Sequence, residues 1–356
     1  MNYKRGEKIS QSQDLRNNGV LKSWIERWVW ASYCNHEKVF DEIVEQKKPY
    51  SLDLHGNKHA GEPAIIIGAG ISLEKLYPIV KDWEGVIFCP ESMAKTLAYY
   101  GHKPEYVVVF DAHDQVWDLF LKDFDWTGST LVTHPAACVE MIDKWEWDKI
   151  YYLMMHYSKL HTELKGETLE EKEQDAKGQL MGFDFFEIVQ PVAYKFLHTH
   201  IINAGCVINN AVQTANFMGY GPLFLCGADF GFKGWANRAH GYGYVDGEWI
   251  KKPGGMVQHV VGPKKIPVGD VDISREIIIS DNGVPTTEEQ AEYKKALISI
   301  YKLDRPQLID CSDGCITELP KASVEEVVKR NGRGFEAIYR TDEEIIRIAN
   351  SYLFRE

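Results

Sequence analysis

The feature that most constrains this chain is a series of short, unbroken apolar runs, most of them followed by a helical pattern. Ala64-Ile65-Ile66-Ile67 ends in glycines, and Val86-Ile87-Phe88-Cys89 leads to a helix expected over Ser92 to Tyr100. Tyr106 to Phe110 ends at Asp111, and Thr130 to Thr133, Ile150 to Leu153, Leu223 to Cys226 and Gln307 to Asp310 continue the series. A strand with one wet face alternates apolar and polar residues, so a run apolar at every position is buried on both faces. Such strands, separated by helices at Leu73 to Val80, Val207 to Met218 and Glu288 to Tyr301, imply parallel pairing with right-handed crossovers. The expected fold class is α/β, a Rossmann-like, mostly parallel sheet flanked by helices.

Four parts are expected along the 356 residues. Residues 1–61 form an N-terminal helical extension, with Trp24, Trp28 and Trp30 on a packing face between Asp14 and Glu45 and a polar connector over Ser51 to Glu62. Residues 62–230 make the Rossmann-like nucleotide-binding core, interrupted by a charged stretch from Glu167 to Lys177 that reads as a solvated helix or insertion. Residues 231–282 are rich in Gly, Pro and aromatics with no sustained period, and read as an irregular lid or substrate segment. Residues 283–356 complete the core and end in a helix over Asp342 to Leu353.

The formal charge of −12 argues against non-specific nucleic-acid binding, which needs a dense positive surface. Seven cysteines, an odd number set mostly in apolar runs, read as reduced buried thiols in a reducing compartment. Cys311 and Cys315 have no nearby histidine or second pair to complete a zinc site. The N-terminus lacks an apolar signal region, and no run approaches the ~18 apolar residues of a membrane span. The expected localisation is cytoplasmic.

Four segments carry candidate chemistry. In Gly68-Ala69-Gly70-Ile71-Ser72-Leu73, glycines after a buried strand allow a sharp turn, and the helix that follows offers free N–H groups to an anion. Ser72 is placed to cap that helix or to donate to a phosphate. The turn lacks the third glycine of the dinucleotide fingerprint and the Gly-Lys of a Walker loop. Asn203-Ala204-Gly205 opens a second Gly-containing helix start, an anion or sugar site or else a cap before an exposed polar face carrying Asn209 and Gln213. Asp229 lies just past a strand's carboxyl end, where open α/β sheets bind ligands. Asp111-Ala112-His113-Asp114, also at a strand's carboxyl end, either holds Mg²⁺ through Asp111 and Asp114 or begins the next helix. His240 and His259, among Tyr242, Tyr244 and Trp249, are candidate general bases.

Together these segments, with Gly101 to Tyr106, Gly227-Ala228-Asp229-Phe230 and Cys311 to Ile316, resemble the 6-hydroxymethylpterin diphosphokinase MptE-like family. That family includes the motility accessory factor (Maf) glycosyltransferases, and the likeness spans roughly residues 60–330. The two glycine segments are similar, more distantly, to bacterial CMP-sialic-acid-dependent sialyltransferases. The resemblance implies a nucleotide held by Gly68, Ala69, Gly70, Ser72, Asn203, Gly205 and Asp229, with His259 as base and His240 second. Gly231 stands where the sialyltransferases have a tyrosine, so phosphate contacts are expected from elsewhere, with Tyr242 or Tyr244 as candidates. The leading expectation is transfer of a sugar, a nonulosonic acid on CMP, from a nucleotide donor to a hydroxyl of a protein or glycan. The pterin branch implies instead ATP-dependent diphosphate transfer with Mg²⁺ and Asp111, although the acidic segment here lacks that branch's glycine and displaces its second acid. A non-catalytic nucleotide-binding module is the third reading.

Overall fold

The computed structural model describes residues 27–42, 51–114, 116–145, 149–156, 197, 200–202, 206–233, 238–252, 265–268, 271–274, 277–304 and 306–335. Strands β1 (Ala64–Ile67), β2 (Val86–Pro90), β3 (Tyr106–Val109), β4 (Thr130–Thr133) and β5 (Lys149–Tyr152) follow in sequence. Two short parallel strands, β6 (Met154–His156) and β7 (His200–Ile202), precede β8 (Leu223–Cys226). Then come β9 (Gly241–Val245), β10 (Glu248–Lys252), β11 (Lys265–Val268), β12 (Val271–Ser274), β13 (Ile277–Ile279), β14 (Pro285–Thr287) and β15 (Leu308–Asp310). Seven strands make one parallel sheet in the order β15-β8-β1-β2-β3-β4-β5. The chain builds outward from β1 to one side and then crosses back to add β8 and β15 on the other. The strand order therefore reverses at β1, and a crevice at the carboxyl ends of the strands is the expected ligand position.

Side chains in a strand point alternately to opposite faces. Ile65 and Ile67 enter one core layer with Tyr77, Val80, Trp83, Ile87 and Leu131. Ala64 and Ile66 enter the other with Phe88, Val108, Val212, Leu225 and Leu297. All four β1 residues are fully buried, which explains a run without a polar residue. The first layer is covered by helices α1 (27–42), α2 (Leu73–Val80), α3 (Glu91–Tyr99) and α4 (Val139–Lys144). The second is covered by α5 (Val207–Phe217) and α6 (Glu288–Asp304). A last described helix, α7 (Val324–Lys329), starts with Ser323 capping Glu326 N–H and packs with α2. The observed class is the α/β, Rossmann-like one expected.

Three local expectations need correction. The polar stretch from Ser51 is not a bare connector: Leu52–His55 forms a 3-10 turn, with Leu52 fully buried and Ser51 bridged to Tyr152. In α1, Trp28 packs into the core while Trp30 points outward and stacks on Tyr33, so the tryptophans do not share one face. Asn209 and Gln213 are buried rather than exposed, because α5 lies against α6, where Asn209 Nδ2 donates to the Tyr293 carbonyl at 3.0 Å. Trp24, the charged stretch from Glu167 to Lys177 and the terminal helix over Asp342 to Leu353 lie outside the described residues.

The segment read as an irregular lid contains paired strands. β9 and β10 form an antiparallel hairpin in register Val245 to Glu248, closed by Asp246-Gly247. Both turn residues have positive φ, 50° and 86°, as a tight two-residue hairpin turn that follows the strands' twist requires. β11 pairs with β12, and β13 with β14. Among the described residues, no helix is long and apolar enough to cross a membrane.

Candidate functional site

The turn after β1 and the turn after β8 are packed backbone to backbone. Gly68 N–H donates to the Cys226 carbonyl at 2.7 Å, and Gly70 N–H to the Gly227 carbonyl at 2.8 Å. A Cβ on Gly68 would sit 2.4 Å from the Gly227 oxygen, and one on Gly70 2.5 Å from it. Those distances are far inside van der Waals contact, so glycine at 68 and 70 is dictated first by this junction. Gly227 itself adopts φ +73° and faces the Gly68 carbonyl. Asp229, nearly buried, accepts from Ser72 N–H at 2.7 Å and from the Ser72 hydroxyl. Ser72 thus caps nothing with its own side chain. Its hydroxyl is given to Asp229, whose carboxylate sits at the start of α2 and complements the positive end of that helix. Burial pushes the Asp229 carboxyl up, and the Ser72 hydrogen bonds pull it partly back. Gly314 packs against the Asp229 main chain, with Cys315 N–H donating to the Asp229 carbonyl at 2.7 Å.

One strand further along, the polar groups are differently placed. Parallel pairing of β1 with β2 brings the end of β2, and Glu91 after it, beside the strand that delivers the glycine turn. Glu91 opens α3 directly after Pro90, and its Oε2 is buried with no hydrogen-bond partner. Burial pushes this carboxyl up to about 7; the residue's own N–H lowers it, the nearby Asp111 adds to the rise, and Arg238 opposes it. Asp111, just past β3, is also raised by burial, against the His113 N–H that Oδ1 accepts at 2.7 Å. Asp111 therefore begins a turn, while Asp114 is exposed three residues on. Among the described residues, no group of three or more His, Cys, Asp or Glu side chains is gathered as a metal cluster.

The hairpin β9–β10 roofs this end of the sheet. Ala239 N–H donates to the Ala69 carbonyl at 3.0 Å, which seats the entry to the hairpin on the glycine turn and brings exposed Arg238 beside it. His240 is fixed on four sides. Its N–H donates to Glu74 Oε1 at 2.9 Å, its Nδ1 lies 3.0 Å from the same oxygen, and its carbonyl accepts from Tyr77 at 2.7 Å. Its Nε2 is 3.2 Å from the Tyr100 hydroxyl. With Glu74 ionised, Nδ1 carries the proton and the lone pair is on Nε2. Burial raises the Glu74 carboxyl, but the hydrogen bonds it accepts from His240, with the nearby Lys251 charge, leave it below the usual carboxylate range. Further out, Tyr242 N–H donates to Thr96 Oγ1 at 2.9 Å, and Tyr242 stacks on Tyr99 with ring centroids 3.6 Å apart. Trp249 adds an edge contact to Tyr99.

The structure thus brings together Gly68, Ala69, Gly70, Ser72 and Asp229 at one junction, with His240 seated on it through the Ala69–Ala239 bond, while Asp111 lies by Glu91 at the next strand ends. Asn203, Gly205 and His259 lie outside the described residues. Glu91, Arg238 and Glu74 were not singled out from the sequence. Glu91 carried a usable signal, since it follows an apolar run as directly as Asp111 does. Cys311 N–H donates to the Leu225 carbonyl at 2.8 Å, and Cys315 Sγ lies 3.2 Å from the Phe230 carbonyl.

A parallel sheet that reverses order at β1, with glycine turns and carboxylates at the strands' carboxyl ends, defines a Rossmann-like α/β protein. The 6-hydroxymethylpterin diphosphokinase MptE-like family matches over residues 37–234, more than half of the sequence, and the chain belongs to that family. No curated protein matches the sequence. Among solved structures, it is similar to the Maf glycosyltransferase from Magnetospirillum magneticum AMB-1, at a TM-score of 0.50 and 14% identity. The match covers 92% of this chain and 42% of that one, so the chain spans less than half the length of that relative, and the likeness is one of fold.

Proposed function

We propose that the protein transfers a sugar from a nucleotide-activated donor to an acceptor hydroxyl, at the crevice between the strand ends and the hairpin over 238–252. The observation that carries this reading is His240, oriented by Glu74 with its Nε2 lone pair turned toward Tyr100, beside the Tyr99, Tyr242 and Trp249 rings. An acid-oriented histidine takes the proton of an attacking hydroxyl, and exposed aromatic faces stack on sugar rings. In the reaction the acceptor oxygen bonds to the anomeric carbon, the bond from that carbon to the donor phosphate breaks, and the phosphate leaves with the electron pair. Arg238 supplies charge for that phosphate. Gly68, Ala69, Gly70, Ser72 and Asp229 shape the donor site, with Asp229 acting through the turn it orders. Asn203 and Gly205 complete it in this reading, and His259 is the other candidate base. The donor is a nucleotide sugar, with a CMP-linked nonulosonic acid as the first to try, and the acceptor is a hydroxyl on protein or glycan. In the same reading residues 62–230, completed by 283–356, are the nucleotide core and 231–282 the lid, working in the cytoplasm.

The family's own description favours a second reading, ATP-dependent diphosphate transfer to a pterin hydroxymethyl group. Asp111, with one carboxylate oxygen bonded to His113 N–H, would hold Mg²⁺ with the substrate phosphates and Asp114. The ion would neutralise charge on the transferred diphosphate.

A transfer assay with CMP-nonulosonic acid, run beside an ATP and hydroxymethylpterin assay with and without Mg²⁺, separates the two. Sugar release that survives EDTA and falls at least a hundredfold in His240→Ala or His259→Ala supports the first. AMP formation lost with EDTA and in Asp111→Asn supports the second. No turnover together with no thermal shift from CMP, UDP, GDP or ATP leaves a non-catalytic module.

A further inference from the structure

We propose that Glu91 is the ribose ligand of the donor site: its carboxylate accepts hydrogen bonds from the 2′ and 3′ hydroxyls of the bound nucleotide and so selects ribonucleotides over 2′-deoxynucleotides. This rests on the nucleotide-donor reading above. Three independent observations carry it. First, Glu91 directly follows the last residue of β2, the strand next to the one that delivers the glycine turn. In sheets of this topology, an acidic residue there faces the sugar of a nucleotide whose phosphates lie toward the first turn. Second, Oε2 is buried and accepts no hydrogen bond, whereas the Asp229 carboxylate at the neighbouring junction has both oxygens occupied by Ser72. A buried carboxylate oxygen without a donor costs free energy, and a ribose diol brings two O–H donors at the spacing of two carboxylate oxygens. Third, Arg238 lies on the hairpin close enough to act on the Glu91 charge, and Ala239 is bonded to the glycine turn. A cation beside the sugar's carboxylate and at the phosphate end of the turn fits a nucleotide laid from Gly70 to Glu91. Burial holds the empty carboxyl up to about 7, as expected of a group whose donors come from a ligand. The residue's place as the first of α3 accounts for a negative charge there, but a helix-start acid does not need a buried, unpartnered oxygen.

The experiment is isothermal titration of the full chain with CMP against 2′-deoxy-CMP, and ATP against 2′-deoxy-ATP, for the wild type, Glu91→Gln and Glu91→Asp. The wild type is expected to bind the ribonucleotide of the preferred pair about tenfold tighter or more. Glu91→Gln is expected to bring the two sugars within about twofold, weakening the ribonucleotide while leaving the deoxynucleotide nearly unchanged. Glu91→Asp falls between. Equal wild-type affinity for both sugars overturns the inference, and needs no variant to fold. A Glu91→Gln loss equal for both sugars also overturns it, pointing to phosphate or Mg²⁺ contact instead. If no nucleotide in the set binds, the donor reading itself fails and the ribose assignment falls with it. Binding without sugar discrimination sinks the ribose assignment alone.

Discussion

The two halves of the crevice, only one strand apart, are built on opposite principles. At the β1–β8 junction every prominent polar group is used by the protein. The glycine N–H groups bond to Cys226 and Gly227, the Ser72 hydroxyl and N–H go to Asp229, and Asp229 itself takes the position at the start of α2 that an anion would fill. At the β2–β3 ends, Glu91 keeps a buried oxygen unpaired, and exposed Arg238 is near enough to act on its charge. Glycines after a strand do not by themselves mark a ligand contact: here they first let two turns touch. The junction acts as scaffold, and the neighbouring half holds the polar groups left for a ligand.

Variants at the two halves should differ in kind, and the largest effects on stability belong to the junction. Gly70→Ala places a Cβ against the Gly227 oxygen and the Asp229 carboxyl, backbone and a bonded side chain that have little room to move. It is expected to cost about 3 kcal/mol in urea unfolding. A variant as stable as the wild type would mean that the junction is looser than described. Asp229→Ala leaves two buried Ser72 donors without an acceptor and should cost about 2 kcal/mol, with weaker nucleotide response as a consequence of the disordered turn. If it weakened binding with unfolding unchanged, Asp229 would be a ligand contact and the contrast between the halves would fail. In the other half, His240→Gln removes the ring contacts to Glu74 and Tyr100 but keeps the main-chain bonds of the hairpin. Its stability cost is expected to be only about 1 kcal/mol, while transferase turnover collapses.

A pH titration supplies a smaller, signed test away from both halves. His134 is fully buried at the end of β4, its Nδ1 accepts from Ala136 N–H, and burial holds it down to about 3 from an ordinary 6.5. The unfolded chain takes up a proton below about 6.5 that the folded chain refuses, so folding stability falls as pH drops from there toward 3. His134→Gln should flatten that part of the stability–pH curve relative to the wild type. Parallel curves for the two proteins would contradict the neutral, buried imidazole.

The parallel sheet was legible because strands covered on both faces are written as continuous apolar runs, and all seven were visible. The hairpin over 241–252 was hidden for the opposite reason. Gly241, Tyr242, Gly243 and Tyr244 mix glycine with rings used on both faces, so no alternation stood out, although Asp246-Gly247 is a strong turn signal. The burial of Asn209 could not be read locally, since its partner carbonyl is on Tyr293, 84 residues away. Asp111 and Asp229 were found by their position at strand ends, and the same rule applied to β2 would have found Glu91. Arg238 and Glu74 carried no such mark: their roles come from where the hairpin lands.

The account's central claim is that a nucleotide lies between the β2–β3 ends and the hairpin, with the β1–β8 junction as its support. Hydrogen–deuterium exchange with and without saturating nucleotide tests it most directly. The predicted result is new protection over residues 91–99 and 238–252, with little change at 223–230, whose strand is paired on both sides in the free protein. Protection confined to 223–230 and 311–316, with the hairpin unchanged, would contradict it.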